Sequence, residues 1–122
     1  MRIKFFFRIM LLVLTCGIFN SCSKSDDAAL PIITFTQAEG KANSQGEYTV
    51  TGHIHSDIRL NKVIITKEGS TTPYLTDDST AKYKTDYDFS YLITGITADT
   101  HIILDIYNQA NGKTTVRFLI HP

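Results

Sequence analysis

His53 and His55 are the residues of this chain most clearly spaced for chemistry, two apart in the segment Glu47–His55. Side chains of an extended segment alternate between faces, so both imidazoles project from one side with Cα atoms roughly 6.5–7 Å apart. That spacing can place two nitrogens on one metal ion, and His101 could approach from another segment. The same face also carries Thr49 and Thr51. Polar alternation for solubility therefore explains the histidines without a metal, and no metal or cofactor is assigned; His53 and His55 stand only as weak metal candidates. The carboxylates Asp57, Asp77, Asp78, Asp86 and Asp88 are scattered and lack the Asp-x-Asp-x-Asp-Gly order of a calcium loop. They read as solvated surface acids.

Catalysis has no visible framework. There is no Gly-x-Ser-x-Gly and no serine, histidine and acid trio in recognisable context. The two cysteines, Cys16 and Cys22, both lie near the start, which rules out thiolate zinc sites and cysteine catalysis further on. The chain is expected to be non-catalytic. Recognition is better served by the long polar excursion Lys67–Tyr87, because loops beyond about 12–15 residues are usually functional or hide a strand. Tyr74, Tyr83 and Tyr87 are interleaved there with Asp77, Asp78, Lys82, Lys84 and Asp86. Tyrosine offers flat contact area with a polar tip, suited to protein surfaces and sugar rings. The competing reading is structural: Pro73-Tyr74-Leu75 as a short edge strand and Tyr87 as the rim of the core.

These residues must be positioned by strands. From Leu30 onward β-branched and aromatic residues dominate and helix signals are nearly absent. Ile32–Thr36 reads as the first strand. Glu47–His55 alternates, with Tyr48, Val50, Gly52 and Ile54 on one face. Leu60–Lys67 turns Val63 and Ile65 inward, and a short strand is expected near Tyr74. Tyr87–Thr94 buries Phe89, Tyr91 and Ile93 before Gly95 ends it. His101–Tyr107 buries Ile102, Leu104 and Ile106, and Thr114–Ile120 buries Val116, Phe118 and Ile120. Asn111-Gly112 is the dipeptide of a type I′ hairpin. About seven one-sided strands must cover each other, and two packed sheets do so. The fold class is all-β, a two-sheet sandwich over residues 31–122. The segments "PIITFTQ", "YTVTGHIHSDIRLNKVIIT", "FSYLITGI" and "HIILDIYNQANGKTTVRFLI" resemble, in order, those of bacterial Ig-like domains. The resemblance implies an Ig-like fold, with Glu47–His55 and His101–Tyr107 in different sheets, so that His101 points away from His53 and His55. Asn108 stands where the family usually has Asp, and Asn111-Gly112 where it has Gly-Asn, which weakens any carry-over of calcium binding.

The first 21 residues have another character. Arg2, Lys4 and Arg8 precede an apolar run from Ile9 to Phe19, followed by Asn20-Ser21-Cys22. A basic start, a short apolar core and a small residue before the break make an export signal. Eleven apolar-run residues fall short of the roughly 20 that span a bilayer. The junction resembles the lipobox of bacterial lipoproteins, with Phe19 where Leu is usual, and implies acylation of Cys22. Cys16 is the weaker candidate, and ordinary signal cleavage remains open. Ser23-Lys24-Ser25-Asp26-Asp27 resembles the export tag of Bacteroidota-type surface lipoproteins, and a solvated tether would look the same. The organisation expected is a lipoprotein signal peptide at 1–21, lipidated cysteine and tether at 22–30, and an Ig-like domain at 31–122.

All 12 acidic residues lie beyond the leader, which carries three of the 12 basic ones, so the remaining chain has a net charge near −3. That argues against nucleic acid as a partner, and no basic amphipathic face to grip anionic lipid is expected. The expected function is a lipid-anchored, outer-membrane or cell-surface interaction module in a surface protein complex, the membrane reached through its anchor. The alternative is a glycan-binding accessory of polysaccharide uptake, which the absence of tryptophan disfavours. The tether Ser23–Leu30 reaches at most roughly 26–29 Å, which favours a neighbouring membrane protein as partner.

Overall fold

The computed structural model describes residues 29–122; the signal peptide, Cys22 and most of the tether lie outside the described residues. Eight strands form, with no helix among the described residues: β1 (Ile32–Phe35), β2 (Gly40–Lys41), β3 (Tyr48–His55), β4 (Leu60–Lys67), β5 (Leu75–Asp77), β6 (Asp86–Ile93), β7 (Thr100–Asn108) and β8 (Lys113–His121). A three-stranded sheet, β1-β3-β6, packs on a five-stranded sheet, β2-β8-β7-β4-β5. All pairs are antiparallel except β2 with β8. This is the Ig-like sandwich expected of the sequence. The strand beyond seven is β2, whose two residues are too few to show a period.

The period-two pattern places the core. Val50 and Ile54 of β3, Val63 and Ile65 of β4, Phe89, Tyr91 and Ile93 of β6, Ile102, Leu104 and Ile106 of β7, and Phe118 and Ile120 of β8 are all buried. Phe35 bridges the layers, 5.9 Å from Phe89 and 4.7 Å from Phe118 between ring centroids. Gly52 occupies a core-facing position of β3 where no side chain fits. A Cβ there would lie 2.2 Å from the Thr34 carbonyl oxygen and 2.7 Å from Phe89 Cζ. The missing side chain is what admits the Phe89 ring.

The β7–β8 turn corrects one expectation. Asn111-Gly112 does not form a two-residue type I′ turn; strands β7 and β8 are joined by the four residues 109–112, and only Asn111 takes positive φ, at 64°. Buried Asn108 explains the longer turn. Its Oδ1 accepts from the backbone N–H groups of Ala110 and Gly112, at 3.0 and 2.8 Å, and its Nδ2 donates to the Ala29 carbonyl. A single left-handed residue after a tight turn matches the strand twist as well as the shorter loop would. With Thr114 Oγ1 donating to the Pro31 carbonyl at 2.6 Å, this fixes where the chain enters: beside the β7–β8 turn.

Candidate functional site

Asp77 ends β5 and, contrary to the surface reading, is only 7% exposed. Its carboxylate accepts from Thr80 Oγ1 at 2.5 Å, from Tyr91 OH at 2.7 Å and from the backbone N–H groups of Ser79 and Thr80 at 3.2 and 2.9 Å. Tyr87 OH adds a longer contact at 3.4 Å. The reason it is inside is topological: β5 is the edge of one sheet and β6 the edge of the other, and Asp77 with Tyr91 ties them. Burial alone would push its carboxyl up, but the hydroxyl and N–H donors together hold it down at about 2. Burial and the neighbouring carboxylate push Tyr91 far above the usual phenol range. No buried side-chain nitrogen or oxygen among the described residues lacks a partner.

That junction gives the Lys67–Tyr87 excursion a fixed path. It contains β5, pairing with β4 in the register Ile65↔Leu75. The three tyrosines of the excursion have different fates. Tyr74 packs at the far end of β6, its hydroxyl 3.0 Å from Thr94 Oγ1 and accepting from Thr94 N, with Lys67 Nζ 4.7 Å from its ring. Tyr87 is half-buried, its hydroxyl 3.0 Å from Thr80 Oγ1. Tyr83 is 59% exposed. Tyr83 and Tyr87 share the chain-entry end, while Tyr74 lies away from them by about the length of β6, roughly 23 Å.

Tyr83 is held in an unusual conformation. Its φ is 69°, and its N–H donates to the Leu60 carbonyl at 2.7 Å, while Lys84 N–H donates to Ala81 O at 3.2 Å. This puts Tyr83 at the turn position where positive φ normally selects glycine. A bulky residue there is strained, a cost of about 1–3 kcal/mol for sparsely populated backbone regions.

His53 and His55 are brought together with acids on the outer face of the three-stranded sheet. The register pairs His53 with Asp88 and His55 with Asp86. His53 Nδ1 lies 2.7 Å from Asp88 Oδ1 and its Nε2 3.1 Å from Asp86 Oδ1; His55 Nδ1 lies 2.9 Å from Asp86 Oδ1 and its Nε2 3.1 Å from Asp57 Oδ1. A neutral imidazole donates through one nitrogen only, so two carboxylates per ring favour the imidazolium. The hydrogen bonds to Asp88 and Asp86 raise His53, and those to Asp86 and Asp57 raise His55; His55 and then His53 hold Asp86 down. The nitrogens a metal would need are thus occupied, and among the described residues no three His, Cys, Asp or Glu side chains are arranged for a metal ion. His101 lies on β7 in the other sheet, 3.0 Å from Glu68. The signal for the ladder was in the sequence, as His53-x-His55 and Asp86-x-Asp88 on outward faces; which strand pairs with which was not.

The chain-entry end also gathers Arg59 from the β3–β4 loop, Lys62 from β4, Lys82 and Lys84 from the β5–β6 loop, and Lys113 from β8. Among the described residues none of the five forms an ion pair with a carboxylate; the one Lys or Arg that does is Arg117, with Glu68. The lysines lie over tyrosine rings instead: Lys62 and Lys113 over Tyr107 at 5.0 and 5.9 Å, Lys82 over Tyr83 at 5.3 Å and Lys84 over Tyr87 at 4.7 Å. The fold brings these five cations to one end together with the carboxylates Asp57, Asp77, Asp78, Asp86 and Asp88.

No protein-family model matches the chain, and no curated protein matches it. Among solved structures it is similar to the fibronectin(III)-like modules of Clostridium thermocellum CbhA, with a TM-score of 0.53 and 13% identity. The match covers 76% of this chain and 46% of that one, so the chain spans under half the length of that relative. At this identity the likeness concerns the fold: a two-sheet β-sandwich of fibronectin type III-like, Ig-like architecture.

Proposed function

We propose that this β-sandwich is a non-catalytic interaction module, held on the outer membrane by acylated Cys22, that joins a surface protein complex through the Tyr83 tip. The observation that carries the reading is Tyr83 itself. A large aromatic occupies a position that glycine would fill with less strain, it is exposed, and it stands between two lysines. Strain kept at an exposed aromatic points to a role outside the fold, and a tyrosine flanked by cations suits a polar, partly acidic protein surface. Ala29 is tied at the same end, so an anchor at Cys22 would bring Tyr83 close to the bilayer and to membrane proteins beside it. A sugar platform gains no support, because the exposed rings of Tyr74 and Tyr83 lie at opposite ends of β6.

Two measurements test this. Metabolic labelling with a fatty acid should mark the wild type and not Cys22→Ala; equal label in both would remove the anchor. Pull-down from detergent-solubilised membranes should recover a partner with the wild type and with His53→Ala/His55→Ala, and lose it with Tyr83→Gly. Tyr83→Gly should be as stable as the wild type or more stable by about 1 kcal/mol, because glycine relieves the strain at positive φ. Retained partners in Tyr83→Gly would move the recognition surface elsewhere.

A further inference from the structure

We infer that Asn111 is a site of spontaneous deamidation, and that the buried side chain of Asn108 holds the reaction back in the folded chain. The β7–β8 turn selects both residues of the reactive pair. Asn111 takes a φ of 64°, a left-handed conformation that asparagine tolerates better than most residues. Gly112 is required by packing. A Cβ there would lie 2.7 Å from Asn108 Nδ2, 2.9 Å from Leu30 Cδ2 and 3.1 Å from Asn108 Oδ1. Asn108 and Leu30 therefore exclude a side chain at 112, and the result is an Asn-Gly pair with Asn111 exposed to water.

That pair is open to an intramolecular attack. With no side chain to shield it, the Gly112 nitrogen can lose its proton to solvent base and attack Asn111 Cγ. A bond forms between that nitrogen and Cγ, the Cγ–Nδ2 bond breaks, and ammonia leaves after taking a proton from water. Water then opens the succinimide ring at either carbonyl, giving aspartate or isoaspartate. Water is the sole co-reactant, and nothing is oxidised or reduced.

The folded turn opposes each part of this step. Gly112 N–H donates to Asn108 Oδ1 at 2.8 Å, so a protein acceptor covers the nucleophile in place of water. The Gly112 carbonyl accepts from Asn108 N–H at 3.0 Å, and Asn111 N–H donates to the Asn108 carbonyl at 3.1 Å. The peptide is thus pinned on both sides of the reacting bond. Asn108 is itself fixed, 1% exposed and donating from Nδ2 to the Ala29 carbonyl at 2.9 Å. The residue that makes Gly112 necessary is also the one that restrains it, and reaction must wait for local opening of the turn. Isoaspartate at 111 would lengthen the turn by a backbone atom, which the bonds around Asn108 do not accommodate.

The purified chain is incubated in mildly alkaline buffer beside a synthetic peptide of residues 106–116, and deamidation at Asn111 is followed by peptide mapping and mass spectrometry. The folded chain should react at least about tenfold more slowly than the peptide, because opening the turn breaks several hydrogen bonds at once. Asn108→Ala removes the acceptor of Gly112 N–H and should react about fivefold faster than the wild type, or more. Should Asn108→Ala lose the wild-type circular dichroism spectrum, hydrogen exchange of the wild type decides in its place: Gly112 N–H should exchange at least about tenfold more slowly than in the peptide. Absence of deamidation in the peptide would remove the site. Equal rates in chain and peptide, an unprotected Gly112 N–H, or a folded Asn108→Ala that reacts as the wild type overturns the inference.

Discussion

Asp77 and Asp86 both accept side-chain hydrogen bonds beside the same strand, but on opposite sides of the three-stranded sheet. Asp77 lies between the layers, where two tyrosine hydroxyls, a threonine and two backbone N–H groups surround it. Asp86 lies outside, between two histidines that water also reaches. The environments differ, and so do the energetic consequences. Inside, a polar group that loses its partner cannot turn to water, so removing the centre strands every donor around it. Outside, solvent replaces whatever is lost and screens the charges. Burial therefore makes Asp77 part of the fold and leaves the histidine ladder a surface feature with a protonation state.

The sharpest way to break this comparison is Asp77→Ala. It should cost about 3 kcal/mol or more in denaturant unfolding, since it strands Tyr91 and Thr80 and frees the β5–β6 connection. Asp86→Ala should leave the unfolding midpoint unchanged. A cost below about 1 kcal/mol for Asp77→Ala would mean the two sites are equivalent.

The acid limb of stability gives a somewhat smaller effect. The folded Asp77 carboxyl, at about 2, is depressed below its ordinary value of 3.8. Its contribution is then complete above about pH 4 and lost as pH falls toward 2. The two-unit difference corresponds to about 2–3 kcal/mol. Denaturation of Asp77→Asn should lack this step between pH 4 and 2, while Asp86→Asn keeps it. A wild-type profile flat across that window would remove the depressed carboxyl from the account.

The smallest effect belongs to the histidines and has the opposite sign. Their folded values are raised above 6.5, so their contribution is present below that pH and fades as pH rises through the raised values. Imidazole C–H shifts in NMR should titrate above 6.5 for His53 and His55, and return toward it in Asp86→Ala/Asp88→Ala. His53→Ala/His55→Ala should change the titration and leave the melting temperature where it was. A large drop in melting temperature would show that the ladder carries the fold.

Much of the sandwich was legible because alternation is local. Val50 and Ile54, Phe89, Tyr91 and Ile93, and Ile102, Leu104 and Ile106 announce their inward faces within a few residues of themselves. β2 was not legible, since two residues have no period, and the β7–β8 turn was misread because Asn108, rather than Asn111-Gly112, decides its length. Within the candidate site, the excursion and its tyrosines were visible as composition. That Tyr83 would take positive φ, and that Asp77 would turn inward, depended on hydrogen bonds to Leu60, Tyr87 and Tyr91 in other strands.

By itself the sequence determined which residues face the core and that sheets must pair, because backbone geometry assigns alternate side chains to opposite faces wherever a strand forms. Only the tertiary structure decided which polar groups became neighbours. Asp77 reached Tyr91 because two sheet edges meet there, and His53 reached Asp88 through the β3–β6 register. Arg59 and Lys62, Lys82 and Lys84, and Lys113 came to one end, with Asp57, Asp78, Asp86 and Asp88, because three separated segments meet on the same side of the sandwich. Charge acts through space and not along the chain, so strand pairing settles which acids and bases meet.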